Sequence, residues 1–214
     1  MDSQRKFARD FKEVSRLFPK LFYRGRKGGW MIYGDMDICG NMGSYWETFN
    51  IEIFVPDTYP FCVPRVWEKS QVIKRNYDFH IDKHGGCCLD IEHRLVIYKV
   101  IGMNIEEFVM KKVYPFFVNQ VYRKRTGDYA NGEYLHGFDG VAQYYREDLG
   151  ILTSKLAMEI IQKILDNDLP ERNELCICGE GKYKNCHCRS VEYLSRLPEA
   201  RLKEDLVGFK KLVG

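Results

Sequence analysis

Four cysteines and a histidine fall within thirteen residues, in the run Cys176-Ile177-Cys178-Gly179-Glu180-Gly181-Lys182-Tyr183-Lys184-Asn185-Cys186-His187-Cys188. A peptide this short and polar cannot build an apolar core of its own. Soft thiolates beside an imidazole suit a tetrahedral zinc ion, and metal binding would supply the missing folding energy. Gly179 and Gly181 let the backbone turn tightly around an ion. The competing reading is a chance cluster of free thiols, and the density of ligand types weighs against it. The other four cysteines lie elsewhere: Cys39 and Cys62 stand alone, and Cys87 and Cys88 are adjacent. The chain is therefore predicted to carry two cysteine chemistries in two regions.

Free or metal-bound thiols belong to a reducing compartment. The residues Met1 to Lys6 lead into an amphipathic pattern without a signal-type apolar block. No run of about 18 apolar residues occurs, so no membrane-spanning helix is predicted. A cytoplasmic location is expected, with no membrane partner. The 33 basic and 30 acidic residues leave a net charge of +3, a near-balance that argues against a dedicated nucleic-acid binder. With 45% hydrophobic residues over 214, the chain can bury one substantial core and a small appendage.

Periodicity orders the rest. Phe7, Phe11, Val14, Leu17 and Phe18 share one face of a helix over 2–20. Strand patterns follow at 30–38, 48–55 and 65–68, separated by glycine or proline turns, which predicts an antiparallel meander. Residues 76–95 lack clean periodicity and read as an irregular, exposed segment. Helical spacing returns over 104–124, where Pro115 must kink or split the helix. Residues 126–150 read as a structured loop with a short helix. A helix over 151–167 precedes the cysteine cluster, and a charged helical tail covers 190–212. The fold class is α+β, divided as 1–150, a connecting helix over 151–173, a metal knuckle over 174–190 and a tail over 191–214.

The second constellation is His80-Ile81-Asp82-Lys83-His84-Gly85-Gly86-Cys87-Cys88-Leu89-Asp90-Ile91. On residue types alone, three readings are open. It can be a second metal site from His80, His84, Cys87 and Cys88, a cysteine nucleophile with a histidine base, or two buried thiols beside a glycine turn.

Two resemblances narrow these readings. The 176–188 run resembles the SEC-C zinc-binding motif, a Cys-x-Cys-Gly-x-Gly start followed by a Lys/Tyr-rich stretch and a final Cys with Cys or His. Its middle run is one residue shorter here. The resemblance implies a structural or docking zinc held by Cys176, Cys178, Cys186 and, by position next to Cys186, His187, with Cys188 as the alternative fourth ligand. A helix, a meander, Tyr59-Pro60-Phe61 with Pro64, a His-containing stretch and Gly85-x-x-Cys88-Leu89 occur in an order that resembles the ubiquitin-conjugating enzyme family. That likeness implies the ubiquitin-conjugating-type fold and a transferase that carries a protein C-terminal carboxyl as a thioester on Cys88. In that register His80-Ile81-Asp82 stands where the family has His-Pro-Asn, so Asp82 replaces an oxyanion-stabilising Asn. An ionised carboxylate has no N–H to donate to an oxyanion, though it can help an acceptor lysine lose its proton.

Residues 127–137, ending Gly132-Glu133-Tyr134-Leu135-His136-Gly137, resemble an element of bacterial ubiquitin-conjugating-like proteins from anti-phage operons of the cyclic-oligonucleotide signalling type. This adds His136 as a residue near the thioester, or alternatively as a loop pin. The implied partners are a ubiquitin-like modifier or a nucleotidyl cyclase C-terminus, an activating enzyme and a target protein. The basic side chains Arg5, Lys6, Arg9 and Lys12 of the first helix form either a docking face for an activating enzyme or a solvated surface. Two rival functions use the same residues: a non-catalytic adaptor that docks through the fold and the knuckle, and a cysteine hydrolase.

Overall fold

A computed structural model of the chain describes residues 2–40, 43–130 and 135–213. The chain forms two compact units, Met1–Glu133 and Tyr134–Gly214. Residues 135–150, grouped with the first domain on sequence, cluster with the second unit.

The first unit opens with α1 (Ser3–Leu17). Asp2 caps it by accepting from the Gln4 amide at 3.1 Å, and Pro19 stops it two residues after its end. Phe7, Phe11 and Val14 are buried on one face, and Phe7 stacks on Trp30 at 4.6 Å. An antiparallel sheet follows in the order β1 (Leu21–Arg26), β2 (Gly29–Cys39), β3 (Tyr45–Pro56), β4 (Arg65–Glu68). The meander is as expected, but it has four strands where the pattern predicts three. The added strand is β1. It lies at the sheet edge and buries only Leu21, so it lacks the apolar alternation that marks a strand in sequence. Ile32, Met36, Ile51, Ile53 and Val66 form the inner face of the sheet within the core of this unit.

After β4 come α2 (Glu92–Val96) and α3 (Tyr98–Ile101), then a continuous helical run. It comprises α4 (Ile105–Phe108), a π turn (Val109–Val113) and α5 (Tyr114–Thr126). Pro115 sits in the first turn of α5. The predicted break takes the form of that wider π turn. Proline offers no N–H to the carbonyl four residues back, and the i→i+5 register absorbs the loss. Ile105, Phe108, Val113, Phe117 and Val121 complete the core.

The loop element Tyr59-Pro60-Phe61 is partly structural. The buried Tyr59 hydroxyl donates to Asp10 at 2.8 Å and accepts from the Ile105 amide at 3.0 Å. Asp10 also binds Lys6 at 2.7 Å and Arg9 at 3.0 Å. Two of the four basic side chains considered for a docking face, Lys6 and Arg9, are thus engaged within the unit.

The second unit contains α6 (Phe138–Glu147), α7 (Ser154–Leu165), α8 (Cys188–Leu194) and α9 (Glu199–Val213). The predicted tail is two helices, because Pro198 separates α8 from α9. α9 returns to pack on α7 and α6, and Ile160, Ile161, Leu194, Leu202 and Phe209 are buried. The Tyr145 hydroxyl donates to the buried Asp205 carboxylate at 2.8 Å. Burial and that negative charge push the phenol well above its ordinary pKa. Tyr145→Phe removes a buried bond to a charged acceptor. It is expected to destabilise this unit by about 2 kcal/mol, read as a lower denaturation midpoint with an unchanged helical spectrum.

Among the described residues, no helix is long and apolar enough to cross a membrane.

Candidate functional site

The segment around Cys87 and Cys88 is built as a tight hairpin docked on the end of β4. Ile81 and Cys87 form an antiparallel bridge, and Trp67 pairs with Gly86. The Cys87 amide donates to the Val66 carbonyl at 2.8 Å, and the Cys88 amide donates to the His80 carbonyl at 2.8 Å. Adjacent residues in extended backbone project to opposite sides. Cys87 packs against the core while Cys88 is exposed. Burial pushes the Cys87 thiol up to about 12. The Cys88 thiol is also raised, first by partial desolvation and then by the charges of Asp90 and Glu92. Asp90 is in turn paired with Lys112 at 2.5 Å and lies 3.6 Å from Arg94.

Both glycines of the turn face protein. A Cβ on Gly85, whose φ is +89°, would meet the Glu68 carbonyl oxygen at 2.6 Å. One on Gly86 would meet an Asp82 carboxylate oxygen at 2.4 Å. The Glu68 side chain, fully buried, pairs with Arg75 at 2.5 Å, which anchors the strand end under Gly85. The glycines are thus explained by close approach within the chain, before any incoming peptide is considered.

Asp82 closes the hairpin. Its Oδ1 accepts from the His84 amide at 2.7 Å and from the Gly86 amide at 2.9 Å. Burial alone would raise its pKa, but these bonds and the neighbouring His84 outweigh it, and the carboxyl is held below its ordinary value. A group lowered on folding contributes stability above its unfolded pKa, near 4 for Asp. That contribution is lost as pH falls through the lower folded value. Asp82→Ala is therefore expected to loosen the turn by about 1 kcal/mol at neutral pH. Amide exchange at His84 and Gly86 should accelerate, and the difference from the parent chain should shrink below about pH 4. Asp82→Asn keeps the acceptor oxygen and should retain most of the bonding.

His80 ends the short 3-10 turn Tyr77–Phe79 in a left-handed conformation with φ 53°. Its carbonyl, not its ring, is the group bonded to the Cys88 backbone. His136 is an exposed residue of the second unit, just before α6. Part of the sequence element that singled it out, 131–134, lies outside the described residues.

The second constellation converges. One ligand atom from each of Cys176, Cys178, Cys186 and His187 lies within 4.8 Å of the others, an arrangement that can hold a metal ion. Cys178 Sγ is 3.4 Å from Cys186 Sγ, and His187 Nδ1 is 3.2 Å from Cys186 Sγ and 3.4 Å from Cys176 Sγ. The backbone makes this possible. Leu175 pairs with Lys182, the Cys176 amide donates to Gly181 O at 2.7 Å, and the Gly179 amide returns to Cys176 O at 2.8 Å. Gly179 and Gly181 have φ of +83° and +154°. The 3-10 turn Tyr183–Asn185 then delivers Cys186 and His187.

His187 Nε2 lies 3.1 Å from the Gly150 carbonyl, a contact that orients the ring with Nδ1 toward the thiols. Cys188 is turned away, buried at the start of α8 with Sγ 3.3 Å from Glu192 Oε1. Of the two candidates for the fourth ligand, His187 is the one in the cluster. Burial works against a thiolate at Cys176, yet the Cys178 and His187 amides and the His187 ring lower its pKa to about 6. Cys186 is pushed up to about 12 by burial and by hydrogen bonding to the Cys178 and Cys176 sulfurs. Among the described residues no second such group occurs, so His80, His84, Cys87 and Cys88 do not form one.

No family model matches the sequence, and no curated protein matches it.

Proposed function

We propose that the first unit is a ubiquitin-conjugating-type carrier domain, in which Cys88 holds a protein C-terminal carboxyl as a thioester. The observation that carries this reading is the split of the cysteine pair: Cys87 faces the core, while Cys88 is exposed on a backbone tied to His80. In the reaction, Cys88 Sγ attacks the thioester carbonyl on an activating enzyme. A new S–C bond forms, the old one breaks, and the enzyme's cysteine leaves as thiolate. An acceptor amine then attacks, an N–C bond forms, the amine's proton passes to solvent, the S–C bond breaks, and Cys88 is released as thiolate. The carboxyl belongs to a ubiquitin-like modifier or a nucleotidyl cyclase, and the resemblance of the 127–137 element suggests a cytoplasmic anti-phage role in bacteria.

In the same reading, Cys176, Cys178, Cys186 and His187 hold a structural zinc. A Zn–S bond of about 2.3 Å in a tetrahedron requires donors roughly 3.5–3.8 Å apart. The closest pairs at 3.2–3.4 Å and the outer limit of 4.8 Å are compatible with that. Four protein ligands leave no open position, so the ion would hold the loop together and take no part in chemistry.

Asp82 favours a second reading, the non-catalytic adaptor. Its carboxylate is engaged with the turn amides and offers no N–H to an oxyanion. Incubation with an activating enzyme, ATP and a candidate modifier separates the two. A reductant-sensitive adduct on Cys88 is expected from the carrier, and its absence across several pairings favours the adaptor.

A further inference from the structure

His80 is one of three non-glycine residues with positive φ among those described. L side chains populate this region sparsely, and such conformations persist only where surrounding contacts hold them. The 3-10 turn before it is a single turn, capped by the Asn76 side chain, which accepts from the Phe79 amide at 3.2 Å. The firmer hold comes from α5 and the loop after it. Gln120, 5% exposed, donates from Nε2 to the Phe79 carbonyl at 2.9 Å. The Arg123 guanidinium and the Tyr129 hydroxyl both donate to the Asp78 carbonyl, the latter at 3.1 Å. Arg123 also donates to the Tyr129 oxygen at 2.8 Å. Its guanidinium lies 4.1 Å from the Phe79 ring centre and 4.6 Å from that of Tyr129. The Tyr129 ring in turn stands 5.6 Å from the His80 ring.

Three donors thus converge on two successive carbonyls, and the next carbonyl, that of His80, receives the Cys88 amide. We propose that Gln120, Arg123 and Tyr129 are positioning residues that clamp the 78–80 turn and through it set the backbone of Cys88. None of them is a catalytic residue in this scheme. The significance for acyl transfer rests on the reading of Cys88 as the thioester cysteine, but the clamp itself can be tested without it.

The test compares Arg123→Ala, Arg123→Lys and Tyr129→Phe with the parent full-length chain. Site-resolved amide hydrogen exchange is read at Cys88 and, as a control for global stability, at Ile51 and Ile53 of β3. Loss of the charged donor in Arg123→Ala is expected to speed exchange at Cys88 about tenfold, the low end for a hydrogen bond to a charged group. The β3 amides should not move. Arg123→Lys should restore part of the protection, and Tyr129→Phe should show a smaller effect. Unchanged exchange at Cys88, or equal acceleration at β3, would overturn the clamp.

Loading of an acyl group from an activating enzyme then tests the positioning role. Arg123→Ala should load more slowly at saturating donor, with the half-saturating donor concentration unchanged. Equal loading despite a loosened Cys88 amide would overturn it. If the parent chain itself takes no acyl group while the exchange results hold, the functional reading fails and the clamp stands.

Discussion

With the proposed zinc in the cluster, Cys176→Ser or Cys178→Ser is expected to abolish metal binding and, with it, the order of the loop over 172–187. The loop holds itself with few bonds: one bridge at Leu175 and Lys182, a handful of backbone hydrogen bonds and one 3-10 turn. In small zinc domains the metal contributes about 10–16 kcal/mol of apparent binding energy, which is also folding energy. Here Tyr183 and Cys188 are buried in a unit that has its own helical core. The loss should therefore stay local, with α7 and α9 still helical while the loop becomes a protease site. Elemental analysis should find one zinc per parent chain and none after either substitution. Cys188→Ser should keep the ion, because that thiol faces Glu192. A Cys188→Ser chain that loses zinc while His187→Gln retains it would refute the ligand set. Acid should also release the ion, since thiolates and a neutral imidazole are required for binding.

In the proposed carrier, Cys88→Ala should abolish the thioester adduct outright, whereas Cys87→Ala should leave it in place and instead weaken packing beneath the hairpin. The difference follows from the bridge that sends the two side chains to opposite faces. A reductant-sensitive adduct on the Cys88→Ala chain would sink the assignment. Because desolvation, Asp90 and Glu92 raise the Cys88 thiol, its thiolate fraction should grow about tenfold per pH unit below its pKa. Loading should accordingly speed up from pH 7 toward 9, as measured by single-turnover transfer. A rate that is flat across that range would mean that another step, or another group, controls the reaction.

Much of the scaffold could be read from residue order. The Phe7, Phe11 and Val14 face of α1, the patterns of β2 and β3 and the disruption at Pro115 follow from local spacing and from proline's missing N–H, although Leu17, placed on the same face by spacing, is exposed at the helix end. β1 escaped because an edge strand with one buried side chain has no alternation to detect. Gln120, Arg123 and Tyr129 also escaped. They lie 41 to 51 residues from the carbonyls they bind, and a polar residue on a helix gives no hint of a partner so distant. A polar side chain at Gln120, between apolar positions at Phe117 and Val121, was the only local signal.

The sequence by itself determined that the cysteines fall in two separate regions, an α+β order of elements and a ligand-rich run at 176–188, because residue type, spacing and periodicity act over a few neighbouring positions. Resemblance favoured Cys88 and His187, but only the tertiary structure decided which cysteine of the adjacent pair is exposed and which of His187 and Cys188 lies in the cluster. Cys88 rather than Cys87 reaches solvent because β4 pins the hairpin from one side. His187 rather than Cys188 joins the cluster because the Gly150 carbonyl orients its ring while α8 carries Cys188 inward. Asp82, by contrast, is committed to its turn by amides only two and four residues away, whereas the direction and burial of Cys88 and His187 are set by partners far along the chain.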